Sequence, residues 1–240
     1  MKLTIIETGQ APLAIRDRFP DYPEMFRRMF AGVDAGITCQ TVSIARGETL
    51  PDPAALEAVL YTGSPAGVYD PLPWIAPLSD FIRGAAQAGT PQVGICFGHQ
   101  IMGEALGGKV VKSGKGWGIG RHTYDVVQCP DWSGGPCPPT LSVAVSHQDQ
   151  VVELPPAASV IAQSDFTPYA GLDYRGFPAI SFQCHPEFDA EFATALYTAR
   201  RGGSLTEADA DAAVASLSGD CDRRLLAQWI ASFLRANAGS

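Results

Sequence analysis

A short apolar run passes directly into a helical segment at residues 93–106, and this junction constrains the fold more than any other feature. Residues 93–96 have the composition of a buried strand, and helical spacing begins at once at 98–106. Glycine stands two residues before and two residues after Cys96. A strand and a helix joined so closely need a tight turn, where small neighbours let the middle side chain project freely. The junction therefore predicts an α/β fold with Cys96 at the end of a strand.

Strands and helices alternate along the first 108 residues. Strand-like runs lie at 2–7, 37–44, 59–61 and 93–96. Apolar residues with helical spacing lie at 25–33, 74–88 and 98–106. Glycines at 89 and 107–108 are typical of helix C-termini. This alternation indicates a parallel sheet with helices on both of its faces.

From residue 109 onward the sequence is richer in strands. Five or six β-like stretches follow, at 109–112, 121–127, 141–145, 150–153, 159–163 and 178–183. Two helical stretches close the chain, at 188–201 and 207–236, and the Pro- and Gly-rich segment 129–140 is interpreted as a surface loop. We predict a single domain over residues 1–240, with a central mixed, mostly parallel sheet flanked by helices.

Charge and hydropathy limit the partners that the chain can take. The 240 residues carry a net charge of −8, which argues against binding to the phosphates of nucleic acids. Glu7 comes too early for a secretory signal, and no apolar run approaches the roughly 20 residues of a membrane span. We expect neither a nucleic-acid nor a membrane partner, and a cytoplasmic location.

The six cysteines, at positions 39, 96, 129, 137, 184 and 221, include no CxxC pair. Zinc sites usually pair close cysteines, so neither a metal nor another cofactor is predicted. Thiols that look free in a chain of this length favour a reducing compartment.

Cys96 has the setting of a catalytic nucleophile. In the segment 94–100 (GICFGHQ), the helix that follows Cys96 directs its N–H groups toward the sulfur, which favours the thiolate. The alternative is a buried structural cysteine in a glycine-rich turn. The local pattern leaves both interpretations open.

Three other segments could complete a site around Cys96. His185 and Glu187 follow the strand-like run that ends near 183, where they could serve as a general base and its orienting partner. The turn 62–65 (TGSP) could offer backbone N–H groups to an oxyanion. The segment 146–149 (SHQD) is explained equally well by a hairpin turn. Each segment alone is more often structural than functional.

Together, the four segments resemble the class I glutamine amidotransferases. The segment 94–100 is similar to that family's G-[IV]-C-x-G-x-Q elbow, and His185-Pro186-Glu187 to its H-P-E signature. The turn 62–65 lies where the family has its oxyanion turn, and 146–149 looks like its S-H-x-D segment. Order and spacing agree from about residue 57 to 190, and the stretches 61–74 and 116–120 look most like a stand-alone, GMP-synthase-like branch.

The resemblance implies a flavodoxin-like fold and hydrolysis of the side-chain amide of glutamine or another γ-glutamyl compound through a thioester on Cys96. It assigns His185 as the base and Glu187 as its orienting partner. His99, three residues after Cys96, is the rival base by its position in the sequence. The resemblance also implies an oxyanion hole from Ser64 and Phe97, and substrate binding by Gly63, Gln100, His147 and Gln148. Ser64 stands where the family commonly has glycine, and a positive φ would strain serine there.

The resemblance leaves three functions open. The chain could be a self-sufficient hydrolase, an ammonia-donating subunit that needs a separate synthase, or a non-catalytic module that binds a γ-glutamyl small molecule. Intact Cys96, His185 and Glu187 favour an enzyme. A possible phosphate loop at 103–109 lacks the required Ser or Thr at Val110, so we reject it. An apolar stripe in the last helix, at 225–234, could pack on the chain's own sheet or dock a partner.

Overall fold

Eleven strands and seven α-helices form within residues 1–238, the part of the chain that this computed structural model describes. The strands are β1 Lys2–Glu7, β2 Thr38–Ser43, β3 Ala58–Tyr61, β4 Gln92–Ile95, β5 Lys109–Lys112, β6 Gly118–Val126, β7 Thr140–His147, β8 Asp149–Glu153, β9 Ala158–Gln163, β10 Gly171–Tyr174 and β11 Ala179–Phe182. The helices are α1 Leu13–Arg16, α2 Tyr22–Ala31, α3 Ile75–Ala88, α4 Phe97–Ala105, α5 Ala190–Arg200, α6 Glu207–Ser216 and α7 Arg223–Ala236.

Nine of these strands form one sheet in the order β2-β1-β3-β4-β11-β10-β9-β6-β7. The pairings from β2 through β11 are parallel, and those from β11 through β7 are antiparallel. Strands β5 and β8 pair separately as an antiparallel ribbon. The predicted α/β fold with a mixed sheet is confirmed, and the parallel half holds β4, which leads into Cys96. The sheet is not mostly parallel, however, because four of its eight pairings are antiparallel: β9, β10 and β11 follow one another through short loops and pair as antiparallel neighbours.

Helices cover both faces of the sheet because successive strand residues point to opposite faces. Leu3 and Ile5 of β1 lie in an apolar cluster with Phe26 of α2 and Trp229 of α7. Ile6, the next residue along, lies in the cluster that contains α3 and α4. The apolar stripe of α7 is buried in the first of these clusters. The stripe therefore packs on the chain's own sheet and is not a surface for a partner.

The predicted helix 207–236 is in fact two helices, α6 and α7, separated by residues 217–222. Arg121 Nε donates to the carbonyl of Asp220 in this break. The Asp222 N–H donates to the carbonyl of Ser142 in β7, and the Asp222 carboxylate accepts from the Ser142 N–H. These bonds tie the break between α6 and α7 to the sheet. The short strand β10 also lay outside the predicted strands.

The loop 129–140 is closed by a disulfide between Cys129 and Cys137. The expectation that all six cysteines are free is therefore wrong, although Cys39, Cys96, Cys184 and Cys221 are free thiols. The eight-residue separation of the bonded pair carries no recognisable sequence signal. Within the loop, the Trp132 ring packs edge-on against Phe233 of α7, with 5.5 Å between ring centroids. The loop is thus fastened to the last helix.

Within residues 1–238, no helix has the combined length and apolar character that crossing a membrane requires.

Candidate active site

Three neighbouring parallel strands end at one edge of the sheet and bring three of the four predicted segments together. Strand β4 lies between β3 and β11, and its Ile95 is opposite Phe182. Immediately past the strand ends, the Cys96 N–H donates to the Phe182 carbonyl at 2.9 Å, and the Gly98 N–H donates to the Thr62 carbonyl at 3.1 Å. The elbow, the turn 62–65 and the segment 183–187 therefore meet at this edge.

Cys96 occupies a strained turn between β4 and α4. Its φ of 55° makes it the only non-glycine residue with positive φ within the described chain. A Cβ on Gly94 would lie 2.6 Å from the Gly98 carbonyl oxygen, and a Cβ on Gly98 would overlap the main chain of Tyr61. Both glycines are therefore required for helix α4 to approach β3 and β4. The Cys96 side chain is buried, and its Sγ lies 3.8 Å from the Ser146 carbonyl oxygen.

His185 is held from several directions. Its Nδ1 lies 2.7 Å from Glu187 Oε1, and both side chains are buried. The His185 ring stacks on Phe188 with a centroid distance of 3.9 Å and an angle of 4° between the planes. Its backbone N–H donates to the Ala144 carbonyl of β7, and Arg223 donates to the carbonyl of Glu187. These contacts fix the imidazole plane and the carboxylate that orients it.

The charge state of His185 follows from two opposing effects. Burial lowers its pKa, but the charges of Cys96 and Glu187 and hydrogen bonds with both raise it, and the net result is a pKa of about 10. An imidazole with that pKa carries its proton at neutral pH. The site therefore favours an imidazolium between a carboxylate and the cysteine sulfur.

The turn 62–65 lies directly against this pair. A Cβ on Gly63 would stand 2.9 Å from Cε1 of His185 and 3.7 Å from Cβ of Cys96, so a larger residue would displace the imidazole. Ser64 has no positive φ, so the strain expected for serine at this position does not arise. The Ser64 hydroxyl donates to the Thr8 carbonyl at 2.8 Å. Serine thus supports the turn instead of distorting it.

A cleft of about 440 Å³ opens above Cys96 and His185. Gly63 and Ser64 line one part of the wall, and the other lining residues include Gln10, Arg16, Tyr22, Trp117, Ser146, Phe188 and Arg200. Cys96, the His185 imidazole and the predicted oxyanion turn therefore line one solvent-accessible space.

Of the predicted substrate-binding residues, only Gly63 lines this cleft. Gln100 is buried, and its Nε2 donates to the Asp149 carbonyl at 2.9 Å and to Gln183 Oε1 at 3.2 Å. His147 is buried with Nδ1 3.1 Å from the Asp149 carbonyl, and burial lowers its pKa to about 3. Gln148 lies at the crossing from β7 to β8. None of these three residues lines the cleft wall, and Gln100, in the helix that follows the elbow, bonds that helix to β8 and to Gln183.

The rival base and the neighbouring thiol are both poorly placed for chemistry. His99 is fully buried, its Nδ1 lies 2.8 Å from the Ser181 hydroxyl of β11, and burial lowers its pKa to about 3. Burial likewise raises the pKa of the Cys184 thiol well above its ordinary value. Neither residue lines the cleft.

Two arginines in the cleft wall were absent from the sequence-based prediction. Arg200, at the end of α5, donates from Nη1 to the Ser146 hydroxyl at 2.6 Å, and its guanidinium lies 5.3 Å from the centre of the Trp117 ring. Arg16, in α1, donates through Nε and Nη2 to the Ala11 carbonyl. No local motif marks either residue, because each reaches the cleft from an element distant in sequence.

Known proteins resemble this chain along most of its length. The family "Glutamine amidotransferase class-I" matches residues 24–199. A glutamine amidotransferase-like protein of Schizosaccharomyces pombe is 27% identical, over 75% of this chain and 72% of that protein. Gamma-glutamyl peptidase 5 of Arabidopsis thaliana is 32% identical, over 65% of this chain and 63% of that protein.

Two further similar proteins are a larger enzyme and a protein whose crystal structure is known. The glutamine-hydrolysing GMP synthase of Aquifex aeolicus is 38% identical over 54% of this chain, but the match spans only 24% of that enzyme. The crystal structure of a glutamine amidotransferase from Thermotoga maritima has a TM-score of 0.75 at 20% identity, and covers 100% of this chain and 98% of the other. That likeness shows the shared fold. On the match over residues 24–199, the chain belongs to the class I glutamine amidotransferase family.

Proposed function

We propose that this chain hydrolyses the side-chain amide of glutamine or another γ-glutamyl compound through a γ-glutamyl thioester on Cys96. The observation that carries the proposal is that Cys96 and His185 line one cleft, while Glu187, outside the cleft wall, is bonded to Nδ1 of His185. Covalent acyl transfer uses such an arrangement, in which a nucleophile lies beside a base and a carboxylate orients that base. Relatives named γ-glutamyl peptidase and glutamine-hydrolysing GMP synthase support the same chemistry.

In the first half of the reaction, Cys96 Sγ attacks the carbonyl carbon of the amide and a tetrahedral intermediate forms. The backbone N–H groups of Phe97, at the start of α4, and of Ser64 stabilise the oxyanion, each by about 3–4 kcal/mol. His185 then gives its proton to the departing nitrogen as the C–N bond breaks. Ammonia or an amine leaves, and the γ-glutamyl group remains on the sulfur.

In the second half, His185 is neutral and takes a proton from a water molecule in the cleft. The resulting hydroxide attacks the thioester carbon, and glutamate leaves as the Cys96 thiolate and the His185 imidazolium are restored. Glu187 holds the imidazole in one orientation throughout, through its bond to Nδ1.

We propose that the chain acts in the cytoplasm without a permanent synthase partner. The four free thiols, Cys96 among them, suit a reducing compartment, whereas the Cys129–Cys137 disulfide is of a kind that is rare there. The burial of the α7 stripe removes the apolar surface that had favoured docking. An ammonia-donating role beside a separate synthase is the alternative outcome of the following test.

The test is whether the purified chain alone hydrolyses glutamine and a panel of γ-glutamyl dipeptides. The release of glutamate is measured for each compound. We expect turnover that Cys96→Ser abolishes. Cys39→Ser is the matched control, because Cys39 is a free, half-buried thiol in β2, and this variant should keep wild-type activity. Turnover that survives Cys96→Ser would contradict the mechanism. Turnover that needs a co-purifying protein would establish the ammonia-donating role instead.

A further inference from the structure

The cleft above Cys96 is positively charged although the chain as a whole is acidic. Its lining contains Arg16 and Arg200 but no aspartate or glutamate, whereas the sequence carries a net charge of −8. Within residues 1–238, neither guanidinium forms an ion pair with a carboxylate. Two uncompensated guanidinium groups in one cleft favour a ligand that brings its own negative charges.

Arg200 is fixed close to the reacting atoms. One of its amino groups bonds to the Ser146 hydroxyl at 2.6 Å, and the carbonyl of the same Ser146 lies 3.8 Å from Cys96 Sγ. The Trp117 ring lies under the guanidinium at 5.3 Å and restricts its plane. A single residue therefore connects this guanidinium to the nucleophile, and its remaining N–H groups are in place for a carboxylate.

Arg16 approaches the cleft from a different direction. Its Nε and Nη2 are held by the Ala11 carbonyl at 3.2 Å and 3.0 Å. Its Nη1 makes no hydrogen bond within the described residues. The cleft thus presents two separately anchored cationic groups, which suits a ligand with two carboxylates better than a ligand with one.

We propose that Arg200 and Arg16 make this cleft selective for γ-glutamyl amino acids or peptides, whose departing amine bears a carboxylate, over glutamine. The proposal rests on the proposed function and names its substrate class. Glutamine has one carboxylate and releases ammonia, whereas a γ-glutamyl amino acid has two and releases an amino acid. The carboxylate of the departing amino acid stands closer to the attacked carbon than the α-carboxylate of the glutamyl part. Arg200, which contacts Ser146 beside Cys96, binds the carboxylate of the departing amino acid. Arg16 binds the α-carboxylate of the glutamyl part.

The reaction needs no further reactant. Water and the γ-glutamyl amide give glutamate and the free amino acid: the C–N bond breaks, the nitrogen gains the proton from His185, and the carbonyl carbon gains the hydroxyl of water.

The test compares γ-glutamylglycine with γ-glutamylglycinamide, which have the same scissile bond and differ in the charge of the departing group. We expect wild-type kcat/KM to favour the carboxylate substrate by about 10-fold to 100-fold, the range of a charge-assisted hydrogen bond. In Arg200→Gln this ratio should fall toward 1, and Arg200→Lys should restore part of it. Arg16→Gln should lower kcat/KM for both substrates by the same factor and keep the ratio. Arg18→Gln is the matched control, because Arg18 lies outside the cleft wall.

Binding separates failure of this inference from failure of the proposed function. The Kd of both compounds is measured on the Cys96→Ser protein, which needs no turnover. If the Cys96→Ser protein binds γ-glutamylglycine more tightly than γ-glutamylglycinamide, and the double variant Cys96→Ser, Arg200→Gln does not, the charge selectivity is supported even if hydrolysis fails. The inference is overturned if both compounds bind equally, or if the wild-type ratio of kcat/KM for γ-glutamylglycine to that for γ-glutamylglycinamide is 1 or below. In that case, hydrolysis of glutamine that depends on Cys96 would still support the proposed function.

Discussion

Replacing Glu187 by glutamine tests whether this carboxylate orients the His185 imidazole and keeps it protonated. The substitution keeps the shape of the side chain but removes the negative charge 2.7 Å from Nδ1. General acid–base catalysis contributes about 10²-fold to 10⁴-fold to the rate. Because the Phe188 stack at 3.9 Å still holds the ring plane, we place the expected loss of kcat/KM at about 10²-fold to 10³-fold.

The pH profile gives this prediction a second readout. Glu187 contributes to the raised pKa of His185, which is about 10, so the wild-type protein should lose activity as the pH rises through that value. Above that pH the imidazole lacks the proton that the departing nitrogen needs. Removing the Glu187 charge lowers the pKa of His185, so the alkaline loss of activity should move to lower pH.

The assay is kcat/KM for a γ-glutamyl substrate from about pH 6 to about pH 11, with thermal melting to check folding. Glu187 Oε2 has no hydrogen-bond partner within residues 1–238, so the amide breaks no second bond, but loss of the charge beside the buried imidazole should lower Tm while the protein still unfolds in one cooperative transition. Glu191→Gln is the matched control, an exposed charge removed in the first turn of α5. A loss below threefold, or an alkaline limb that does not move, would refute the role assigned to Glu187.

Three further predictions concern the elbow, the core and the rival base. Gly98→Ala should abolish activity and lower Tm, because its Cβ would overlap the main chain of β3, whereas Gly114→Ala, with open space around it, should behave as wild type in both assays. Trp229→Ala should lower the free energy of unfolding in urea by about 3–5 kcal/mol, since this side chain is fully buried; a cost below 1 kcal/mol would contradict the packing of α7. His99→Ala should lower Tm but cost far less kcat/KM than His185→Ala, which should lose about 10²-fold to 10⁴-fold; the reverse ranking would make His99 the base.

The elbow was predictable because short-range sterics determine it. Gly94 and Gly98 each face main-chain atoms where a Cβ does not fit, so the sequence pattern directly reflects the geometry. The same locality explains why His185 and Glu187, two residues apart at a strand end, could be paired from the sequence. Parallel pairing of β4 with β11 then places both segments at one edge.

Features that depend on distant contacts were not predictable in the same way. The break between α6 and α7 is set by bonds from Asp222 to Ser142 of β7, far away in sequence. Arg16 and Arg200 reach the cleft from separate helices, and no spacing rule connects them to Cys96. For His147 and Gln148 the motif and the geometry point in different directions, because the segment 146–149 resembles a binding motif although these two residues do not line the cleft wall.

Covalent trapping tests the central claim most directly. The purified protein is treated with a diazoketone analogue of glutamine, which alkylates a nucleophile placed for attack on the γ-carbonyl, and the adduct is mapped by peptide mass spectrometry. We predict one adduct per chain, on Cys96, formed in proportion to the loss of activity and absent from Cys96→Ser. An adduct on Cys39, Cys184 or Cys221 with Cys96 unmodified would contradict the assignment of Cys96 as the nucleophile.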